Sequence, residues 1–169
     1  MTEVVTLAEE TIENVRRQTR ALRPIYLEDL GLVTALEMLA RETSQPANLP
    51  IEFQLQGRER RMNPNHELAL YRMAQEALNN VARHANASQA HLEIIFTTED
   101  VILHISDNGT GFEVPKSPAE FAPAGHFGLL GLYERAELLG ARLEIQSSAG
   151  KGTRITVILP DPSPPSPEM

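Results

Sequence analysis

Residues 101–112 read Val101-Ile-Leu-His-Ile-Ser106-Asp107-Asn-Gly109-Thr-Gly111-Phe112, a β-rich run that stops at an acid and falls at once into a glycine cluster. Glycines here let backbone approach a flat ligand closely, while the Asp107 carboxylate is left to accept from an exocyclic amine. A plain Asp-Asn-Gly turn has the same letters, so the neighbours decide. Upstream lies a second β-rich run, Ala90 to Thr97, with Thr98, Glu99 and Asp100 as the hairpin turn between them. Before it, a helix opens at Pro64, a residue suited to a first turn, and runs through Leu70, Ala74, Leu78 and Val81 towards Ala85. Glu76, Asn80 and His84 follow one another by four and project from one face of that helix. A carboxylate and an amide on one stripe can hold a metal or polarise a nucleophile, although an ordinary solvated face reads the same way. Downstream, Asn108 to Phe127 is rich in Gly, Pro and Ala without sustained periodicity, and loops of this length are usually functional or mobile. Gly128-Leu129-Leu130-Gly131 then opens a helix reaching Leu139. Unpaired amides and the dipole at such an opening favour phosphate; a glycine loop joining a helix is the bland alternative. Strands over Leu143–Ser147 and Arg154–Leu159 flank the tight turn Ala149 to Gly152.

Towards the start, Val5, Ala8, Ile12, Val15, Thr19 and Leu22 form a heptad seam on an otherwise charged helix that wants a partner. Pro24 stops it and marks a boundary. After Gly31, Leu32, Ala35, Leu36 and Leu39 form a short amphipathic helix, Ser44 to Pro50 reads as a loop, and Ile51, Phe53 and Leu55 alternate as a half-buried strand. The tail after Pro160 is rich in Pro and Ser and reads as disordered.

The composition, 41% hydrophobic and 22% charged over 169 residues, allows one domain with a short appendage. With no Cys, disulfide frameworks, thiolate zinc sites and cysteine nucleophiles drop out together. No apolar run approaches the roughly 20 residues that cross a bilayer, so no direct membrane contact is expected of these residues. A net charge of -8 opposes nonspecific binding to nucleic acid, and the one dense basic stretch, Arg58, Arg60 and Arg61, reads as a solvated turn. Familiar site motifs fail on spacing. Gly152 separates Lys151 from Thr153 where a Walker A loop joins its Lys to Ser or Thr. Gly109 and Gly111 lack the third glycine of a dinucleotide fingerprint. His66-Glu67 starts like a zincin, but Leu70 replaces the second His, and no serine sits in a nucleophile elbow.

Taken together and in this order, the stations resemble the ATP-binding catalytic domain of bacterial sensor histidine kinases, within the wider superfamily that includes DNA gyrase and MutL. Glu76-Ala-Leu-Asn-Asn80-Val-Ala-Arg-His84-Ala is similar to the family's N box, Asp107 to Phe112 to its G1 box, Gly128-Leu-Leu-Gly131-Leu to its G2 box, and Gly150-Lys-Gly152-Thr153 to its final glycine box. Leu22-Arg-Pro24, Leu27-Glu-Asp-Leu-Gly31-Leu and Glu134-Arg-Ala resemble the nitrate-sensor and desaturase-sensor branch. The resemblance implies a two-layer α/β sandwich (the Bergerat ATP-binding fold), a mixed sheet with three helices on one face and an N-terminal helix projecting from it. It divides the chain into 1–22, the second helix of a dimerisation and phosphotransfer hairpin, 23–160, the ATP-binding domain, and 161–169, the tail.

The resemblance further implies that Asp107 binds the adenine amine, with Gly109 and Gly111 shaping the pocket and Thr153 supporting it. Asn80 would coordinate Mg²⁺ in preference to Asn79, Glu76 would act as base or orienter for an incoming imidazole, and Arg83 and His84 would lie near the phosphates. Gly128, Leu129 and Gly131 would border a mobile lid. ATP and Mg²⁺ are the implied cofactors; a response regulator and the phosphoacceptor hairpin of a homodimeric parent are the implied partners, in the cytoplasm whether or not the parent carries a membrane anchor. One departure stands out. No His occupies an acceptor helix: His66 opens the N-box helix, His91 and His104 fall in strands, and His126 in the lid. The chain therefore reads as a kinase module that phosphorylates a histidine elsewhere; the alternative is a nucleotide-binding regulatory module without productive transfer. An ATP-driven clamp like gyrase or MutL is disfavoured by the Leu-Arg-Pro segment and the lack of a transducer-sized second domain.

Overall fold

Alternation along the strands sets the architecture. In a computed structural model, which describes residues 24–162, Leu92, Ile94 and Phe96 are buried together with Val101, Leu103 and Ile105 and with Ile155, Val157 and Leu159. Residues between them, such as His91, Glu93 and His104, point to the other side. These runs are β2 (Ala90–Phe96), β3 (Asp100–Asp107) and β5 (Thr153–Pro160). With β1 (Ile51–Gln56) and β4 (Arg142–Ser147) they make a five-stranded sheet in the order β1-β2-β3-β5-β4. Only the β1–β2 pair is parallel, so the sheet is mixed. Register places Asp107 opposite Ala90 on one side and Thr153 on the other, which delivers the G1 acid and the last glycine box to the same end of the sheet.

The helices are α1 (Ile25–Leu30), α2 (Leu32–Ala47), α3 (Pro64–Asn80) and α4 (Phe127–Leu139). Leu36 and Leu39 of α2, Leu70, Ala74 and Leu78 of α3, and Leu132 and Ala136 of α4 join the strand residues in one core. Three helices thus cover one face, as expected, with the short α1 added at their edge. Pro64 takes the first position of α3, where its missing amide costs nothing, and the Asn63 side chain caps the next free amide, that of Asn65.

Three local expectations need correction. Helix α2 continues through Pro46 to Ala47, because a proline so near the end removes only one intrahelical bond; Asn48 in the left-handed conformation then stops it. The α-helical geometry of α3 ends at Asn80, and Val81–Ala85 follows as a π turn closed by Asn86, also left-handed. Nor is the basic stretch simply solvated. Arg60 lies over the Phe96 ring, donates to the Thr97 carbonyl and pairs with Asp161, so it fastens the end of β5 to the β2–β3 turn.

Arg61 has a different task. It binds the buried Glu67 carboxylate through two nitrogens at 3.0 and 3.1 Å and donates to the Glu28 carbonyl of α1. Glu67 also accepts from the Met62 amide, so the buried charge is both paired and hydrogen-bonded. On the next turn the Tyr71 hydroxyl meets that of Tyr26 at 2.9 Å, with the rings edge to face. Burial, then the bond to Tyr26, pushes the Tyr71 hydroxyl well above its ordinary pKa. Helix α1 is thereby attached to α3 at two points. The projected helix over Thr2 to Leu22 and the tail beyond residue 162 lie outside the described residues.

Candidate active site

A cavity of about 610 Å³ opens between the Asp107 end of the sheet, the far end of α3 and the start of α4. Its floor at the sheet end is Ile105, Asp107, Thr153 and Ile155. Asp107 holds its loop in place: one carboxylate oxygen accepts from the Gly109 amide at 2.7 Å. Burial pushes the carboxyl above its ordinary range, and backbone donors from Gly109 and Thr153 pull the other way. A half-buried carboxylate with acceptor capacity to spare is suited to a ligand amine in that floor.

The glycines around it answer to backbone, not to side chains. A Cβ on Gly109 would sit 2.2 Å from the Ala85 carbonyl oxygen, and one on Gly111, at φ +60°, would sit 2.1 Å from that of Ser148. Gly152, at φ +71°, passes so close to the Asp107 carbonyl oxygen that a Cβ would lie 2.0 Å from it. The Thr110 amide donates to Ala85 and the Gly150 amide to Thr110. Ser147 ties the same strands through its hydroxyl, which accepts from the Phe112 amide, donates to the Gly152 carbonyl and lies 3.0 Å from the Thr153 hydroxyl. Asn108 accepts from the Ser88 and Gln89 amides, so the loop is pinned to the connection before β2 as well.

The opposite wall is the helical stripe. Glu76, Asn79, Asn80, Arg83 and His84 all line the cavity, the last two from the π turn. A π turn inserts width without breaking the helix, which is a frequent device at functional sites. Glu76 and Asn80 meet at Gly128: a Cβ there would be 2.2 Å from the Glu76 Oε1 and 3.2 Å from the Asn80 amide nitrogen. The start of α4 therefore rests directly on the carboxylate–amide pair. Among the described residues no group of three or more His, Asp or Glu converges as a protein-built metal cage. One amide beside one carboxylate does fit Mg²⁺, which keeps most of its oxygen ligands from phosphates and water.

Of the residues singled out in the sequence, Glu76, Asn80, Arg83, His84, Asp107, Gly111, Gly128, Leu129 and Thr153 line this one cavity. Gly109 does not line it and acts through its contact with Ala85. Gly131 lies farther along α4, outside the lining, and meets only the flexible end of Arg135. Thr110 and Phe112, which belong to the G1 box but had no role of their own assigned, also line the cavity, as do His126 and Phe127, which end the aperiodic stretch and carry no signal in periodicity or spacing. A second concavity, of about 540 Å³, shares Asp107 and Thr153 and opens around Lys151 and Arg154. It contains neither Glu76 nor Asn80.

Residues 65–163 match the family model described as Histidine kinase-, DNA gyrase B-, and HSP90-like ATPase. The chain belongs to that family. It is 37% identical over 141 residues to the signal transduction histidine-protein kinase/phosphatase DegS of Bacillus subtilis (strain 168), covering 82% of this chain and 36% of that protein. An uncharacterized sensor-like histidine kinase of Chloroflexus aurantiacus is 34% identical, over 94% of this chain and 27% of the relative. The chain thus spans roughly a third of the length of these curated relatives. Among solved structures, the blue-light activated histidine kinase of Erythrobacter litoralis EL346 aligns with a TM-score of 0.65 at 19% identity, over 89% of this chain and 49% of that one. That likeness shows the shared fold. Among the described residues no helix is long and apolar enough to cross a membrane.

Proposed function

We propose that this chain is the ATP-binding catalytic domain of a sensor histidine kinase. It would bind Mg·ATP in the 610 Å³ cavity and direct the γ-phosphoryl group to a histidine on another segment or chain, from which a response-regulator aspartate receives it. The observation that carries this reading is the convergence of Asp107, the Glu76–Asn80 pair and the start of α4 on one cavity. Asp107 accepts the adenine amine at the sheet end, and Asn80 presents its amide to Mg²⁺ at the other. When bound, the ion would supply positive charge that offsets the charge of the phosphates. Arg83 supplies positive charge and donors from the π turn, and His84 lies beside it in the cavity wall. Glu76 accepts the N–H of the acceptor imidazole, orienting the other ring nitrogen for in-line attack and taking up the proton as the N–P bond forms and the bond from the γ-phosphorus to its bridging oxygen breaks, ADP leaving with that oxygen. Such transfer depends mainly on positioning and charge stabilisation.

None of the five histidines reads as that acceptor. His84 and His126 form cavity wall, His91 and His104 sit on strands, and His66 is in the first turn of α3. Response-regulator contact, homodimerisation through residues 1–22 and a cytoplasmic site of action belong to the same proposal. It is supported by the curated relatives named as histidine kinases and by the intact carboxylate–amide pair. Calorimetric titration of the chain with a nonhydrolysable ATP analogue, with and without Mg²⁺, tests it. Saturable binding strengthened by Mg²⁺ is expected; no binding in either condition overturns it.

A further inference from the structure

The segment between Phe112 and α4 carries rings that no step of the proposed transfer uses. His126 is the cap of α4, and its backbone is held from both directions: its amide donates to the Phe121 carbonyl at 2.8 Å, and its carbonyl accepts from Leu130 at 3.1 Å. Its ring packs on Phe112, centroid to centroid 4.9 Å at 38°, and meets Phe121 edge to face at 6.3 Å. Phe121 is fully buried and packs in turn on Tyr133 of α4, at 5.3 Å. The four rings form a continuous series from the glycine loop to α4, with His126 as the link across the cavity mouth.

The ends of that series are unequal in firmness. Phe112 is fixed to the sheet through its amide bond to Ser147, which is itself bonded to Gly152. Gly125, just before His126, is at φ +82° with open space around a Cβ position, and its amide bonds only to the nearby Ala122 carbonyl, at 3.0 Å, within the same segment. His126, Phe127, Gly128 and Leu129 all line the cavity, and Gly128 rests on Glu76.

We propose that His126 is a positioning residue: by stacking on Phe112 it holds the strap of residues 121–129 over the cavity and so sets where Gly128 stands against the Glu76–Asn80 pair. This deepens the nucleotide-binding reading and rests on it. The stack needs an aromatic face and no ring proton, which separates it from a role for His126 as a phosphate donor or a general acid.

The experiment uses the whole 169-residue chain and the variants His126→Ala, His126→Phe and Phe112→Ala. Amide hydrogen exchange without nucleotide should show faster exchange over residues 122–130 in His126→Ala and in Phe112→Ala, with β2 and β3 unchanged. Affinity for a nonhydrolysable Mg·ATP analogue should fall about two- to tenfold in each, the range expected for one aromatic pair, and the double variant should fall little further. His126→Phe should restore both exchange and affinity. Wild-type exchange and affinity in His126→Ala would overturn the proposal, and so would His126→Phe behaving like His126→Ala. If the wild-type chain binds no adenine nucleotide, the functional reading falls while the exchange comparison still decides whether His126 holds the strap.

Discussion

Replacing Asp107 by Asn should weaken adenine nucleotide binding while changing how the chain's stability responds to pH. The substitution keeps the shape and one acceptor oxygen, enough to receive the Gly109 amide at 2.7 Å, but turns the other oxygen into a donor facing the ligand amine. A buried polar group left unsatisfied costs about 1–3 kcal/mol, so Kd should rise about five- to 150-fold. Stability moves by a separate route. Burial raises the Asp107 carboxyl above its ordinary value of 3.8, so in the ligand-free fold this group favours its protonated form. Its contribution is fully present below the unfolded value and is lost as pH rises through the folded value. The Tm of Asp107→Asn relative to wild type should therefore increase from about pH 4 to pH 7, even as affinity falls. Calorimetric titration at neutral pH and differential scanning fluorimetry across the pH series measure the two effects. Equal affinity in both proteins would remove Asp107 from base recognition; a Tm difference that decreases with pH would show that the amides of Gly109 and Thr153 outweigh burial.

Within a single turn, Gly152→Ala and Gly150→Ala separate strain from collision. Both positions have left-handed φ, +71° and +79°, costing about 1–2 kcal/mol for a Cβ, but only Gly152 also meets backbone, at the Asp107 carbonyl; thermal melts should show the larger loss at Gly152. With an acceptor hairpin supplied, Glu76→Gln should depress single-turnover transfer by about 10² to 10⁴ and spare ATP affinity, whereas Asn80→Ala should weaken Mg-dependent binding itself; wild-type transfer by Glu76→Gln would remove its catalytic assignment. Incubated alone with radiolabelled ATP under conditions that preserve phosphohistidine, the chain should remain unlabelled, and label on His66 would refute the assignment of that residue to helix opening alone.

What could be read in advance follows from the range of each interaction. Strand alternation, Pro64 at the start of α3 and the acid at the end of β3 are local features, and local chemistry shows in neighbouring letters. Strand order does not: β5 lies between β3 and β4, a choice made by packing between distant segments. The stripe of Glu76, Asn80 and His84 was legible by spacing, but the π turn that carries Arg83 and His84 was not, since no residue from Val81 to Ala85 forbids an ordinary helical turn. Phe112 closes the G1 box and His126 falls in the lid, but the contact between their rings was hidden, because it forms only when the aperiodic stretch folds back on itself. Ser147 looked like a strand-end polar residue and became instead the hydroxyl on which two glycine loops are tied.

The double attachment of α1 to α3 ties the first helix of the described fold to one wall of the site. Tyr26–Tyr71 and the Arg61 bridge from Glu28 to Glu67 engage the helix whose opposite end bears Glu76 and Asn80. The helix that α1 grips is thus the one that carries the carboxylate–amide pair, whereas Asp107 belongs to β3, so the two ends of the site hang from different parts of the fold.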